Sequence, residues 1–363
     1  ARVYNRAYTV GEESERDLAE SKHLTRHAAA CAQRAQEYSK TTLAQRLQDI
    51  HFWRVELQKE VMELDAETNL LAAQKLRLER TLDATEVPYG VVTDNLQCRE
   101  RRQPPDLVID EVERQLLKEA DLIRNIRDLL KRTIIQATNQ IRSNRIQKEF
   151  CELDWSDKVE TYHIDDKCVT YNNDSTNIQF HPSSVKFEEN ASTPKTWAQF
   201  SHDNIYSAEQ EKLASVQLRS LINNIIHDVS EDLRMQRAAV NEAFDNHCRE
   251  LDDAKLRLEQ HLAKAIASVE KTVIPWDLVA PPGGRMCCPP MLVSEVEELT
   301  VFLEALKRKL MESEQCLKNL EETRMKLEKE IAVKANSIFI DREKCMTFRI
   351  RYPVDLEVAS YKQ

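Results

Sequence analysis

The sequence predicts an all-α protein, an elongated coiled-coil rod of about four long helices in two similar halves. Three observations carry the prediction. Leu43, Ile50, Leu57, Leu64, Leu71 and Leu78 recur every seven residues. Seven residues are two helical turns, so these side chains share one narrow stripe that needs another helix beside it. The 363 residues include only 4 glycines, where ordinary globular usage is about 7%, so tight turns are few. Charged residues make up 31% and aromatics only 6%, and the richness in Ala, Leu, Glu, Lys, Arg and Gln favours helix.

The first helix is expected from about Glu13 to Ala84, after an N-terminal tail over 1–12. At 1.5 Å per residue it reaches on the order of 100 Å. Val87-Pro88-Tyr89-Gly90 stops it, and a loop over 86–105 follows, with Pro104-Pro105-Asp106 as the next helix start. The second helix runs into the 160s on Ile109, Leu116, Ile123, Leu130 and Ala137, again seven apart, with Val112 and Ile126 in a second row. Together these make a first half over 13–168. A linker over 169–195 is rich in Asn, Ser, Thr and Pro.

The second half, 196–345, opens with a helix from about Lys195 to Thr272, whose seam is weaker: Leu218, Ile222, Ile225, Val229, Leu251, Leu258 and Leu262. A breaker over 273–291 contains Pro275 and Pro289-Pro290. The last helix, about Leu292 to Ser337, has the best two-row seam in the chain. Leu299, Leu306, Leu320 and Leu327 lie on one row, with Val296, Leu303, Leu310, Leu317 and Ile331 on the other. Beyond Asp341 the chain is expected to leave the helix, with a C-terminal tail over 346–363. Ile164-Asp165-Asp166-Lys167-Cys168 closes the first half, and Ile340-Asp341-Arg342-Glu343-Lys344-Cys345 closes the second with one residue more. This shared ending suggests an internal duplication.

Net charge is −10, from 52 basic and 62 acidic residues interleaved along the chain. That is a solvated helix face with i,i+4 pairs rather than the basic stripe of a nucleic-acid binder. No apolar run approaches the length of a membrane span. The nine cysteines are an odd, scattered set, and reduced thiols in a cytoplasmic compartment are expected. Asn173-Asp174-Ser175 and Asn190-Ala191-Ser192 match the glycosylation pattern and are taken as chance matches in such a compartment.

Several motifs are specific in their order and spacing. They are Ala66-Glu67-Thr68-Asn69-Leu70-Leu71, Asp94-Asn95-Leu96-Gln97-Cys98-Arg99-Glu100, Leu153-Asp154-Trp155-Ser156-Asp157-Lys158 and the run Lys334 to Met346, followed by Arg349-Ile350-Arg351-Tyr352-Pro353. In these the chain resembles the tektins, filament-forming coiled-coil proteins of ciliary and flagellar doublet microtubules. The resemblance covers about 13–272 and 292–363. It implies a structural protein of the axonemal cytoskeleton, a microtubule inner protein serving motility. Its implied partners are the tubulin lattice, other tektins and other microtubule inner proteins, with end-to-end self-association. One departure stands out. The family's second-half nonapeptide, Arg-Pro-Asn-Val-Glu-Leu-Cys-Arg-Asp, is absent, and Ala280-Pro281-Pro282-Gly283-Gly284-Arg285-Met286-Cys287-Cys288-Pro289-Pro290 stands in its place. The stretch before it is shorter than the family's.

The expected self-packing residues are Leu43, Ile50, Leu57, Leu64, Leu71, Leu78, Leu299, Leu303, Leu306 and Leu310. The expected partner-contact loops are Asn95, Leu96, Cys98 and Arg99; Ile164, Asp165 and Cys168; and Phe339, Ile340, Asp341 and Cys345. No catalytic residue, metal or cofactor is expected, nor a nucleic-acid or membrane partner. His23 and His27 have a metal-capable i,i+4 spacing and Cys287-Cys288 could bind a soft metal, but neither has further ligands nearby. Cys98 and Cys345 each have a basic neighbour that could activate a thiol, yet no partner His on a rigid scaffold. The four tryptophans serve either lateral contacts or local packing. Beside the filament reading stands a second one, a soluble scaffold that oligomerises to a defined size.

Overall fold

The structure, a computed structural model, describes residues 1–172, 175–176, 191–273 and 289–353. Among them there is no strand. The order is α1 (Arg2–Ala84), α2 (Glu86–Arg99), α3 (Glu111–Thr170), α4 (Pro194–Val273), α5 (Pro289–Phe339), a π-helix (Ile340–Cys345) and α6 (Met346–Arg349). The all-α class and the long helices match the sequence prediction. At 83 residues, α1 is about 125 Å long. The Cys287-Cys288 pair, Trp276 and residues 354–363 lie outside the described residues.

Four boundaries differ from expectation, each for a local reason. Residues 2–12 are helical rather than a tail: they hold no proline, and the single Gly11 costs only about 1 kcal/mol. The break after α1 is one residue wide. Pro88 has no N–H for the carbonyl of Ala84, which ends α1, and the Thr85 hydroxyl donates to the Leu82 carbonyl at 2.6 Å. Pro88 then falls in the first turn of α2, where helical donors are unpaired anyway. So most of the expected 86–105 loop is helix.

The third difference is the start of α3. It begins at Glu111, not Asp106, because the Glu113 amide donates to Asp110 Oδ1 at 2.9 Å, an N-cap with Glu at the third position. Ile109 therefore precedes the helix and is 69% exposed. Fourth, the chain does not leave the helix at Asp341 but continues through the π-helix into α6. At the start of α4, by contrast, Thr193 caps by accepting from the Thr196 amide at 3.2 Å, with Pro194 at the first helical position.

The chain packs as two compact units. Unit 1 is 1–76 with 133–223, and unit 2 is 77–132 with 224–363. Each draws on both halves of the sequence. In unit 1, Lys148 pairs with Asp65 and Arg46 with Asp165, so α1 and α3 run antiparallel. Lys212 pairs with Glu60 and Arg219 with Glu67, so α1 and α4 run parallel. Leu57, Leu64, Cys151 and Ala208 form a core, flanked by Val61, Trp155 and Ile205. Trp197 lies under Lys158 Nζ, 4.0 Å from the ring centre. Trp155 and Trp197 thus pack locally.

The seven-residue rows continue past the point where apolar residues end. On α1 and α2, Ile50, Leu57, Leu64, Leu71 and Leu78 are fully buried, and so are Thr85, Val92 and Arg99 at the next three steps. Leu43 is only half-buried. On α3 the row Leu116, Ile123, Leu130 and Ala137 continues as Asn144, Cys151, Lys158 and Asp165, all buried. On α4 the buried row is Ser201, Ala208, Ser215, Ile222 and Val229; of the expected seam, Leu218, Ile225, Leu258 and Leu262 are half-buried. Small side chains at 201, 208 and 215 bring α4 close. Asn144 is satisfied across helices: its amide donates to Thr68 Oγ1 at 3.2 Å and to Ser215 Oγ at 2.7 Å.

The expected self-packing of α5 is not made among the described residues. Leu299, Leu303 and Leu306 are 55–56% exposed and Leu310 43%. Among its described side chains, this helix buries none before Val333.

Candidate functional site

In unit 2 the segment from Val333 to Tyr352 closes over α2, the 100–110 connection, α3 and α4. We refer to it as the strap. Its carrier is the end of α5, and its middle is the π-helix, where the Met346 amide donates to the Asp341 carbonyl five residues back. A π-turn holds one residue more than an α-turn. The extra residue that distinguishes 340–345 from 164–168 falls in that turn.

Three ionic junctions fasten the strap. At the first, Lys334 pairs with Asp106, and Ser337 Oγ donates to Asp106 Oδ2 at 2.8 Å. At the second, Arg99 Nη1 donates to Asp341 Oδ1 at 2.5 Å, and the other arm of Arg99 pairs with Asp110. Arg102 supports it, donating to Asp110 at 2.8 Å, Glu113 at 3.2 Å and the Val108 carbonyl at 3.0 Å. His247 Nε2 is 3.3 Å from Asp110 and 3.6 Å from Asp341. At the third, Arg349 makes a two-armed pair with Glu119 at 2.8 and 3.2 Å, and its Nε donates to Asn241 Oδ1 at 2.6 Å. Arg237 and Arg349 lie 5.4 and 5.3 Å from the centre of the Tyr352 ring.

Burial sets the electrostatics. Arg99, Glu119, Asp341 and Arg349 are each at most 2% exposed. Burial lifts Asp341 above the usual carboxylate range despite Arg99. Burial would lift Asp110 too, but Arg99, the Glu113 amide, Arg102 and His247 together hold it low. Burial pushes His247 down, against the pull of Asp110 and Asp341. It also pushes the Cys345 thiol up to about 12, and that thiol donates to the Asn95 carbonyl at 3.7 Å. Cys345 is therefore an inert packing thiol rather than an activated one.

The structure brings two of the three expected contact segments together. Asn95, Leu96, Cys98 and Arg99 lie on α2, not on a loop, and Asn95, Cys98 and Arg99 face the π-helix that carries Ile340, Asp341 and Cys345. Asn95, Arg99, Ile340, Asp341 and Cys345 are buried, whereas Phe339 is 49% exposed. An open pocket of about 480 Å³ between α2 and the strap is lined by Cys98, Arg101, Phe339 and Lys344 among others. The third segment is in unit 1 on α3: Asp165 is buried against Arg46, while Ile164 and Cys168 are exposed. Asp106, Glu119, His247 and Arg349 were not legible as site residues. Of these only Glu119 carried a signal, its position between Val112 and Ile126 on the second heptad row of α3.

Among the described residues no group of three or more His, Cys, Asp or Glu is placed to hold a metal. No described helix is long and apolar enough to cross a membrane.

The tektin family model matches residues 1–274 and 289–353. The chain belongs to the tektin family. Among curated relatives, this tektin is 53% identical to mouse Tektin-4 over 386 residues, covering 99% of this chain and 86% of the relative. It is 53% identical to cattle Tektin-4 with the same coverage. To human Tektin-4 it is 52% identical over 349 residues, 89% of this chain and 80% of the relative. The aligned length of 386 exceeds the 363 residues here, so the mouse relative carries residues that this tektin lacks. The family match is interrupted over 275–288, within the breaker where the nonapeptide is missing.

Proposed function

We propose that this tektin is a structural, filament-forming microtubule inner protein of ciliary and flagellar doublet microtubules, stabilising the axoneme for motility, and not an enzyme. Family membership supports a cytoskeletal filament role. The observation that carries self-association is the two-row seam of α5. Val296, Leu299, Leu303, Leu306 and Leu310 alternate at heptad steps and are exposed, and such a seam is stable only when another helix covers it. The first turns of α1 add Val3, Val10, Leu24 and Tyr38, also exposed and in heptad phase. Copies joined through these faces extend end to end, and the helix lengths set an axial spacing along the tubulin lattice. Other tektins and inner proteins are the neighbours this reading expects.

Sedimentation across a concentration series tests it. A filament former keeps growing, whereas a scaffold stops at a defined oligomer. A side-chain-resolution map of doublet microtubules, searched for Trp155 and Trp197, then tests the luminal placement; rods fitted better by other sequences would remove it.

A further inference from the structure

We propose that the strap is a self-contained docking segment, and that the face formed by α2, the 100–110 connection, α3 and α4 in unit 2 is a receptor that accepts the same segment from a second copy of this chain when its own is displaced. Three observations lead there. The first is a charge code. Along the strap, Lys334, Asp341 and Arg349 present plus, minus, plus, and the receptor answers with Asp106, Arg99 and Glu119. Spacings of seven and eight residues set these charges about two turns apart, so a strap shifted by two turns meets like charges or none.

The second is the state of the empty receptor. Glu119 is fully buried and its carboxylate is answered by Arg349. Arg99 retains Asp110 but loses Asp341. Displacing the strap breaks these pairs together and exposes Val333, Ile340 and Tyr352, which are buried in the closed state, so the receptor favours being filled. The third is the tether. Residues 296–310 of α5, the helix that carries the strap, expose their apolar seam instead of fastening to the chain's own receptor. Closure by a second copy forms the same junctions, and local concentration alone decides between the two.

The test uses the full chain with its own strap weakened, Asp341→Ala with Arg349→Ala, and a synthetic peptide of residues 331–353 as probe. The peptide is expected to bind this variant and restore amide protection in 86–99 and 111–132. The same peptide carrying both alanines is expected to bind at least tenfold more weakly, and the wild-type chain to take up little of the intact peptide. Protection of the buried Cys151 thiol from alkylation reports that unit 1 stays folded. If the double variant unfolds altogether, Lys334→Ala with Ser337→Ala supplies a milder opening for the same titration. Undiminished protection in both opened variants without peptide, or equal binding of the two peptides, would overturn the proposal.

Discussion

Arg99 and Asp341 are 242 residues apart in sequence and joined by a buried 2.5 Å hydrogen bond. One closes α2 and the other lies in the middle of the strap, so this pair ties the first half of the chain to the second. Asp341→Ala leaves Arg99 buried with Asp110 alone. We expect a loss of about 3–5 kcal/mol, the range for breaking a buried pair, read as a lower denaturation midpoint of unit 2. Arg342→Ala removes an ion pair to Asp252 in which both side chains are nearly half exposed, and should cost no more than about 1 kcal/mol.

Two leucines at equivalent heptad positions should behave differently. Leu57 is fully buried in unit 1 and Leu303 is 55% exposed. Leu57→Asp puts a charge into the core and should unfold unit 1, seen as lost helicity and lost Trp155 packing. Leu303→Asp with Leu306→Asp should leave circular dichroism unchanged yet abolish concentration-dependent growth in sedimentation. Growth that survives would remove α5 as the associating face.

Unit 2 should lose stability on mild acidification. Burial makes His247 titrate in the fold below the ordinary imidazole value of about 6.5. The unfolded chain therefore binds a proton first, and stability falls as pH drops below about 6.5. Asp341, raised above 3.8, acts in the opposite sense, gaining stability as pH falls through its folded value. The contribution of His247 is isolated by comparing guanidinium midpoints of wild type and His247→Gln at pH 7.5 and 5.5. The variant should show the smaller drop; equal drops would exclude His247.

Thiol chemistry should sort the cysteines by burial. Cys31, Cys168 and Cys316 are exposed and should alkylate readily at pH 8. Burial pushes Cys151 up to about 11 and Cys345 up to about 12, so both should stay unlabelled until the chain is denatured. Mass-spectrometric peptide mapping checks this. Early labelling of Cys345 would mean that the strap opens in the native state.

The helices were legible because leucine and isoleucine repeat along them, from Ile50 to Leu78 and from Leu116 to Leu130. The rows became illegible at Arg99, Asn144, Lys158 and Asp165, where charged or amide side chains take core positions. Arg99 is answered across 242 residues and Asn144 across 76 and 71, while Lys158 pairs with Asp154 on its own helix beside the Trp197 ring of α4, and the long-range pairings leave no local trace. The strap was hidden for the same reason. Asp341 reads as a partner contact and Arg349 as part of the tail until Arg99 and Glu119 are placed opposite them. The α5 seam was legible as a pattern, but its missing partner could not be read from the chain that carries it.

The π-turn has a consequence for how this region can vary. Val333, Ser337, Asp341, Cys345 and Arg349 are all buried, at steps of four residues. Each such step overshoots an α-turn by about 40°, so an uninterrupted α-helix would swing Arg349 about 160° away from the direction of Val333. The wider turn at 340–345 acts as a phase corrector, taking up part of that rotation. Deleting one residue there would rotate everything beyond it by about 100° and carry Arg349 away from Glu119. The segment can therefore exchange its exposed side chains, Arg342 and Glu343, while its length is held fixed.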